Sequence, residues 1–389
     1  MKPFKLTATT PMGLESVVSR EVKSLGCEQI TVENGKISFE GDLPSIARAN
    51  LWLRSADRVL IQMGEFPAAT FDELFEGTKA LPWSDWLPKD AAFPVEGRSV
   101  KSKLSSVPAC QSIVKKAIVE RMKQTYGIEQ FPETGPVYPI EVALRNDRAT
   151  LTIDTSGEGL HKRGYRTLSV EAPIKETLAA GIIQLSRWRS GRVLADPCCG
   201  SGTIPIEAAM IGRNIAPGLR RSFAAEKWPV IPASIWQEAR AEANDLARWQ
   251  EPLEIYGSDI DQNAVSAARF HAGEAGLRDA IRFEKKPAEQ FQIDQPYGCL
   301  VTNPPYGERI GNRREVEDLY GDLGYVASLH ETWSFFILTS YPGFERFFEK
   351  RADKKRKLYN GRIECHLYQY LGPLPPFRQT EASDGIASP

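Results

Sequence analysis

Asp196-Pro197-Cys198-Cys199-Gly200-Ser201-Gly202-Thr203 is the stretch around which the chain is organised. The apolar run Val193-Leu194-Ala195 precedes it, and Ile204, Ile206, Ala208, Ala209 and Ile211 follow. That order reads as a buried strand, a turn of small residues, then a helix. Gly200 and Gly202 let the turn fold tightly and let a ligand lie directly against its backbone. A helix opening near Thr203 points free N–H groups and a positive dipole end back into the turn. Such units, at the carboxyl ends of parallel strands, are where nucleotide-like ligands bind.

The turn is not of a phosphate-binding type. No Lys-Ser/Thr follows the glycines, and the Gly-x-Gly-x-x-Gly spacing is missing. Asp196 closes the strand instead, and a carboxylate there repels pyrophosphate but suits the α-ammonium of an amino acid. A ligand with a cationic amino-acid end and an adenosine end is S-adenosylmethionine. Its expected contacts in this stretch are Asp196, Cys198, Gly200, Gly202 and Thr203.

Two more stretches fall at strand ends of the same pattern. In Gly257-Ser258-Asp259-Ile260-Asp261, Asp259 is placed to accept hydrogen bonds from ribose hydroxyls, and Ile260 to flank an adenine. Asp is also a common helix cap, a role open to Asp261. Asn303-Pro304-Pro305-Tyr306 follows Cys299-Leu300-Val301-Thr302. Pro304 and Pro305 stiffen the backbone so that carbonyl oxygens and the Asn303 side chain converge on one point. Those acceptors suit an exocyclic amino group of a nucleobase, holding its N–H bonds and exposing its lone pair for in-line methyl transfer. Tyr306 offers an aromatic face to an extruded base. Three such elements in this order point to a methyltransferase whose catalytic residues are Asn303, Pro304, Pro305 and Tyr306.

Composition limits the alternatives. The 389 residues carry a formal charge of −1 with 42% apolar and 25% charged residues, ordinary for a globular protein of two or three domains. Nucleic-acid binding therefore has to come from a local patch. No signal peptide or membrane span is evident. Six scattered cysteines lack zinc spacing, so no metal is expected; they read as free thiols of a cytoplasmic protein.

Along the chain, residues 1–43 read as a βαββ unit and 44–156 as a second α+β unit. The latter holds a basic stretch in which Arg98, Lys101, Lys103, Lys115, Lys116, Arg121 and Lys123 face one acid, Glu120. A helix from Ser112 onward, entered through a Ser/Lys-rich loop, presents either a phosphate-binding face or a solvated one. Gly157 to Thr167 is a connector. Strands then alternate with helices from 157 to 378, which implies a parallel sheet. Gly212 to Gln250 reads as an extra helical cover, 379–389 as a flexible tail, and Lys350 to Lys357 as a second RNA contact or a solvated hairpin.

Asp-Pro-Cys-Cys-Gly-Ser-Gly-Thr-Ile-Pro-Ile-Glu-Ala-Ala and Asn-Pro-Pro-Tyr-Gly-Glu-Arg-Ile-Gly resemble motifs of the THUMP-domain RNA methyltransferases, particularly those acting on guanine N2 of large-subunit ribosomal RNA. The resemblance spans nearly the whole chain. It implies an α/β Rossmann-like catalytic sheet with helices on both faces, preceded by ferredoxin-like and THUMP domains. It also implies S-adenosylmethionine as cofactor and structured RNA, such as 23S ribosomal RNA, as partner. RNA contact is then expected through Arg98, Lys101, Lys103, Lys115 and Lys116, and the methionine end of the cofactor near Ala172-Pro173-Ile174-Lys175-Glu176. Two departures stand out. Lys285-Lys286-Pro287-Ala288-Glu289 shows no obvious acid for the adenine amino group, and the second catalytic domain of some relatives is missing, so one activity is expected, from a monomer. Two rival readings are a DNA adenine-N6 methyltransferase and a non-catalytic RNA-binding assembly protein.

Overall fold

A computed structural model describes residues 3–168, 174–306 and 313–376. The front half runs β1 (Phe4–Thr9), α1 (Glu15–Ser24), β2 (Glu28–Glu33), β3 (Lys36–Gly41), α2 (Leu43–Trp52), β4 (Arg58–Pro67), α3 (Phe71–Lys79), β5 (Val95–Val100), α4 (Val107–Tyr126), β6 (Ile140–Arg145) and β7 (Arg148–Asp154). Its strands form one sheet in the order β2-β3-β1-β4-β7-β6-β5. The βαββ unit and the unit after it thus share a sheet, joined through β4, which pairs with both β1 and β7. The helices start where capping chemistry allows. Asp42 accepts from the Ser45 amide at 3.0 Å, and Thr70 and Glu73 form a reciprocal capping box.

Two local expectations are corrected. Arg98 lies in β5, not in an entry loop, and α4 begins at Val107 rather than Ser112. The strand escapes a sequence reading because its partner is distant. β5 pairs in parallel with β6, which the chain reaches only after crossing α4, so no hairpin turn marks the pairing.

The rear half runs α5 (Glu176–Leu185), β8 (Leu194–Asp196), α6 (Thr203–Gly212), α7 (Ala233–Asp245), β9 (Ile255–Asp259), α8 (Gln262–Glu274), β10 (Arg282–Lys285), β11 (Cys299–Thr302), α9 (Arg313–Leu329), β12 (Ser334–Thr339), α10 (Phe344–Phe347), β13 (Lys354–Asn360) and β14 (Ile363–Tyr370). Strand order is β10-β9-β8-β11-β12-β14-β13, parallel except where β14 pairs with β12 and β13. The order reverses direction at β8, with β9 on one side and β11 on the other. A crevice opens beyond the carboxyl ends of strands at such a point. Among the described residues, no helix is long and apolar enough to cross a membrane.

The two halves are tied at a buried seam. The insertion between α6 and β9 covers the front half: Phe223, Trp228, Ile231 and Trp236 belong to the front core. Trp228 stacks on Tyr138 at 4.4 Å and donates its indole N–H to the Val137 carbonyl at 3.0 Å. Also between the halves, Arg163 and Glu207 form a buried ion pair at 3.4 Å, 3% and 0% exposed. Arg163 donates as well to the Leu160 carbonyl at 2.7 Å and to the Arg54 carbonyl, and Tyr165 donates to Glu207 at 3.1 Å. Arg54 in turn donates to the Ile215 carbonyl at 2.8 Å. Removing one member of a buried pair strands the other charge, which costs about 3–5 kcal/mol. Arg163→Ala is therefore expected to lose that much stability in urea unfolding. Arg148→Ala, half of the exposed pair with Glu65, should change it by less than about 1 kcal/mol.

Candidate active site

The two glycines of the turn serve different ends. Gly202 has φ of 84°, and a Cβ there would lie 2.9 Å from Ala268 Cβ and 3.1 Å from Phe283 Cζ. Its absence lets α6 start tight against α8 and β10. Gly200 has φ of 51°, yet a Cβ there would meet nothing within 4 Å. That backbone is open to a ligand. The Cys199 amide donates to the Ser258 carbonyl at 2.9 Å and the Gly200 amide to Asp259 Oδ2 at 2.9 Å, which binds the turn to the end of β9. Thr203 is buried in the first turn of α6. Burial pushes the Cys198 and Cys199 thiols well up, so both are neutral.

Asp259 Oδ1 accepts from the Asp261 amide at 3.0 Å, and Asp261 caps α8 by accepting from the Asn263 amide at 2.9 Å. Between them Ile260 stands 70% exposed, an apolar side chain left uncovered at the mouth of the crevice. A ring laid against it would recover that apolar area.

Asp196 is 2% exposed at the end of β8. Its Oδ1 accepts from Thr302 Oγ1 at 2.7 Å and from the Cys198 amide at 3.2 Å. Burial pushes its carboxyl up to about 7 despite those two bonds, with the Asp259 carboxylate adding to the rise. A cation brought to this group would favour its charged form.

Thr302 carries the connection from β8 to β11, and Asn303-Pro304-Pro305-Tyr306 follows directly. The Pro305 carbonyl accepts from Tyr320 Oη of α9 at 3.0 Å, and that hydroxyl also meets Thr339 Oγ1 at 2.9 Å. The turn is thereby anchored by two elements. Among the described residues, no donor engages the Pro304 carbonyl. The Tyr306 hydroxyl donates to Asn303 Oδ1, and its ring is half-buried against the core that holds Leu358 and Cys365. Burial raises the phenol, which stays protonated. Asn303 and Tyr306 are thus brought together, with the tyrosine hydroxyl covering the acceptor expected to receive an amine.

Thr302 and Tyr320 tie the two turns in place, and sequence reasoning misses both. A signal exists for Tyr320, which sits on the apolar stripe Val316, Tyr320, Leu323, Val326 with a hydroxyl that needs a partner. Pro173 lies outside the described residues. Glu176, in the same motif, is 1% exposed and its Oε2 has no hydrogen-bond partner among the described residues, while Arg166 lies 3.4 Å from Oε1. A buried carboxylate oxygen without a donor suits an ammonium ligand. With the open backbone of Gly200, the exposed Ile260 and the Asp196 and Asp259 carboxylates, the residues present fit an amino acid joined to a nucleoside. Among the described residues, no group of acidic, His or Cys side chains is arranged to hold a metal ion.

The basic stretch is divided by its partners. Arg98 pairs with Glu141 at 2.8 Å, and Lys115 pairs with Glu133 at 2.7 Å while donating to the Phe93 carbonyl at 3.1 Å. Lys101, Lys103 and Lys116 make no ion pair among the described residues.

Comparison with known proteins gives the family and the order of domains. An RlmL ferredoxin-like domain model matches residues 5–60, a THUMP domain model residues 68–154, and an RMKL-like methyltransferase domain model residues 163–369. The chain is 50% identical to the Bacillus subtilis (strain 168) protein named "Putative RNA methyltransferase YpsC", covering 97% of this chain and 99% of that one. It is 36% identical to the ribosomal RNA large subunit methyltransferase K/L of Syntrophotalea carbinolica over 95% of this chain, and spans about half, 53%, of that protein's length. The chain belongs to this family. It is a THUMP-domain, S-adenosylmethionine-dependent RNA methyltransferase related to the K/L enzymes. Among solved structures, a Listeria monocytogenes protein described as a "predicted N6-adenine-specific DNA methylase" is 54% identical with a TM-score of 0.92, covering 96% of this chain and 97% of that one. SMU.472, solved with S-adenosylhomocysteine, is 46% identical with a TM-score of 0.92, covering 97% of this chain and 100% of that one.

The raised Asp196 carboxyl has a measurable consequence. Its pKa goes from 3.8 in the unfolded chain to about 7 in the folded one. The stability it contributes is present below pH 3.8 and is lost as pH rises through 7. Asn at this position would keep both bonds on its carbonyl oxygen without the buried charge. Free of ligand at pH 8, Asp196→Asn is expected to be more stable than the parent, by at most about 4 kcal/mol, and to unfold at higher temperature. Scanning calorimetry across the pH range should show the two proteins converging near about pH 4.

Proposed function

We propose that the protein methylates guanine N2 of 23S ribosomal RNA in the cytoplasm. The observation that carries the base-amine chemistry is the rigid Asn303-Pro304 acceptor pair. It follows Thr302, which bonds to Asp196 of the ligand turn at 2.7 Å. S-adenosylmethionine, when bound, supplies an electrophilic methyl group on sulfonium sulfur. Asp196 and Glu176 would hold its ammonium end, Asp259 its ribose, and Ile260 its adenine. Gly200 leaves the space that backbone contact needs.

Asn303 Oδ1 and the Pro304 carbonyl accept the two N–H bonds of the target amine and leave its lone pair directed at the methyl group. Asn303 Oδ1 has a second lone pair for the amine, and withdrawal of the Tyr306 hydroxyl would open the first as well and free the tyrosine ring to stack on the extruded base. Support for ribosomal RNA comes from the THUMP-containing front half and from the names of the K/L relatives. Lys101, Lys103 and Lys116, unpaired, are the proposed phosphate contacts of that half. Adenine N6 in DNA is the second reading, because the same acceptors serve that amine and the Listeria neighbour bears that description.

Labelled methyl transfer to unmethylated ribosomal RNA and to duplex DNA, with nucleosides identified by mass spectrometry, decides between them. N2-methylguanosine from RNA alone is expected; N6-methyladenine from DNA would overturn the reading. Asn303→Ala should cut kcat by about a hundredfold or more while leaving S-adenosylhomocysteine affinity unchanged. Tyr306→Phe keeps the ring and uncovers Asn303, so kcat/KM should be equal or higher. Tyr306→Ala loses stacking and should fall by about 5- to 150-fold. Asp196→Asn should weaken S-adenosylhomocysteine binding by about tenfold or more.

A further inference from the structure

A groove of about 480 Å³ runs where the front half meets the free edge of the catalytic sheet. Helix α1 contributes Ser16 and Arg20, β13 contributes Lys354 and Arg356, β14 contributes Gln369, and the end of α5 contributes Leu185. Strand alternation puts Lys354, Arg356 and Leu358 on one face of β13, and Lys355, Lys357 and Tyr359 on the other. Leu358 is fully buried in the core that also holds Val17 of α1 and Leu178 of α5, so the first set faces the seam.

The two faces differ in charge balance. On the outward face Lys355 pairs with Glu345 and Lys357 with Glu364, although Lys355 also borders the groove. Among the described residues, Arg20, Lys354 and Arg356 have no carboxylate partner. Three uncompensated cations converge on one concavity from two domains, and an anion bound among them would relieve the repulsion that solvent leaves unscreened. Lysines on edge strands also discourage pairing with other chains. That role gives no reason for Arg20 across the seam, nor for leaving only the inward set unpaired.

The groove is preformed. Gly13, just before α1, has φ of 95°, and a Cβ there would lie 2.4 Å from the Lys357 carbonyl oxygen. The backbone of the front half is pressed directly against β13. Lys354 and Arg356 stand about 6.6 Å apart along the strand, close to the step between successive phosphates of a nucleic-acid strand. From there β13 rises to Asn360, whose side chain lies beside Tyr306.

We propose that this groove binds the phosphodiester backbone of the RNA substrate, between the THUMP-bearing front half and the catalytic turn. The inference rests on the RNA methyltransferase reading. Such a contact is sequence-independent and positions the strand whose base enters the site.

The test compares the full-length protein with Arg20→Gln/Lys354→Gln/Arg356→Gln and with Lys355→Gln/Lys357→Gln. The probe is an unmethylated large-subunit ribosomal RNA transcript, bound at about 50 to 300 mM salt. Calorimetric binding of S-adenosylhomocysteine, equal in all three, checks that each is folded. For the triple variant, the slope of log affinity against log salt should become shallower by about 2–3, with affinity at low salt down by about tenfold or more. The double variant should keep the parent slope within about 0.5. An unchanged slope in the triple variant overturns the inference, as does an equal loss in both variants. Self-association of the triple variant with RNA affinity intact would overturn it in favour of edge protection. If the parent methylates the transcript and the triple variant does so with the same KM, only the groove assignment fails. If the parent neither binds nor methylates RNA, the underlying reading fails with it.

Discussion

The geometry of this protein depends on the buried ion pair between Arg163 and Glu207. Glu207 lies on α6, the helix whose first turn forms the ligand loop. Arg163 lies in the connector and donates to the Arg54 carbonyl of the front half. One charged contact therefore ties the THUMP-containing front half to the helix that follows the glycine turn. Apolar packing by Phe223, Trp228 and Trp236 supplies area, but it tolerates sliding. The Arg163 guanidinium, with its bonds to Glu207 and to the Leu160 and Arg54 carbonyls, fixes direction as well as distance. A substrate held on one half is thus presented to the other in one orientation.

Within the catalytic half the same logic recurs on a smaller scale. The Asp196–Thr302 bond joins β8 to β11 at the switch point, where the sheet offers few other cross-ties, since β8 is three residues long. It sets the distance between the glycine turn ahead of α6 and the Asn303-Pro304-Pro305-Tyr306 turn. A buried carboxylate is a costly group to use for this. An ammonium brought beside it would reduce that cost. Tyr320, reaching from α9 to the Pro305 carbonyl, holds the second turn in the same way.

Much of this is legible in the sequence because the motifs are local. Asp196 to Thr203, Asp259 and Asn303 to Tyr306 each occupy a strand end whose strand and following residues lie next to them in the chain. What is not legible is non-local. β5 pairs in parallel with a strand reached only after α4, so no hairpin signal marks it. The insertion carrying Trp228 and Trp236 reads as a cover, but its apolar periodicity carries no information on which core it covers; it packs on the front half. The contact of Tyr306 with Asn303 spans only three residues, yet it depends on a turn geometry that residue types do not specify.

Charge is the clearest case of information that appears only on folding. With 49 cations against 50 anions, the total identifies no surface, and the densest basic run, Lys350 to Lys357, holds both paired and unpaired side chains among the described residues. Lys115 sits in the basic stretch from Arg98 to Lys123, and Glu133 and the Phe93 carbonyl engage it internally. Arg20 has no such setting in sequence, yet among the described residues it has no carboxylate partner and stands beside Lys354 and Arg356. In a chain with enough acids to neutralise every base, an unpaired cation is informative in proportion to how many of its neighbours are paired. The outward lysines of β13 both found glutamates; the inward residues, one strand position away, did not. Selective absence of a partner, not local abundance of charge, is what marks a site for an anion the chain does not itself contain.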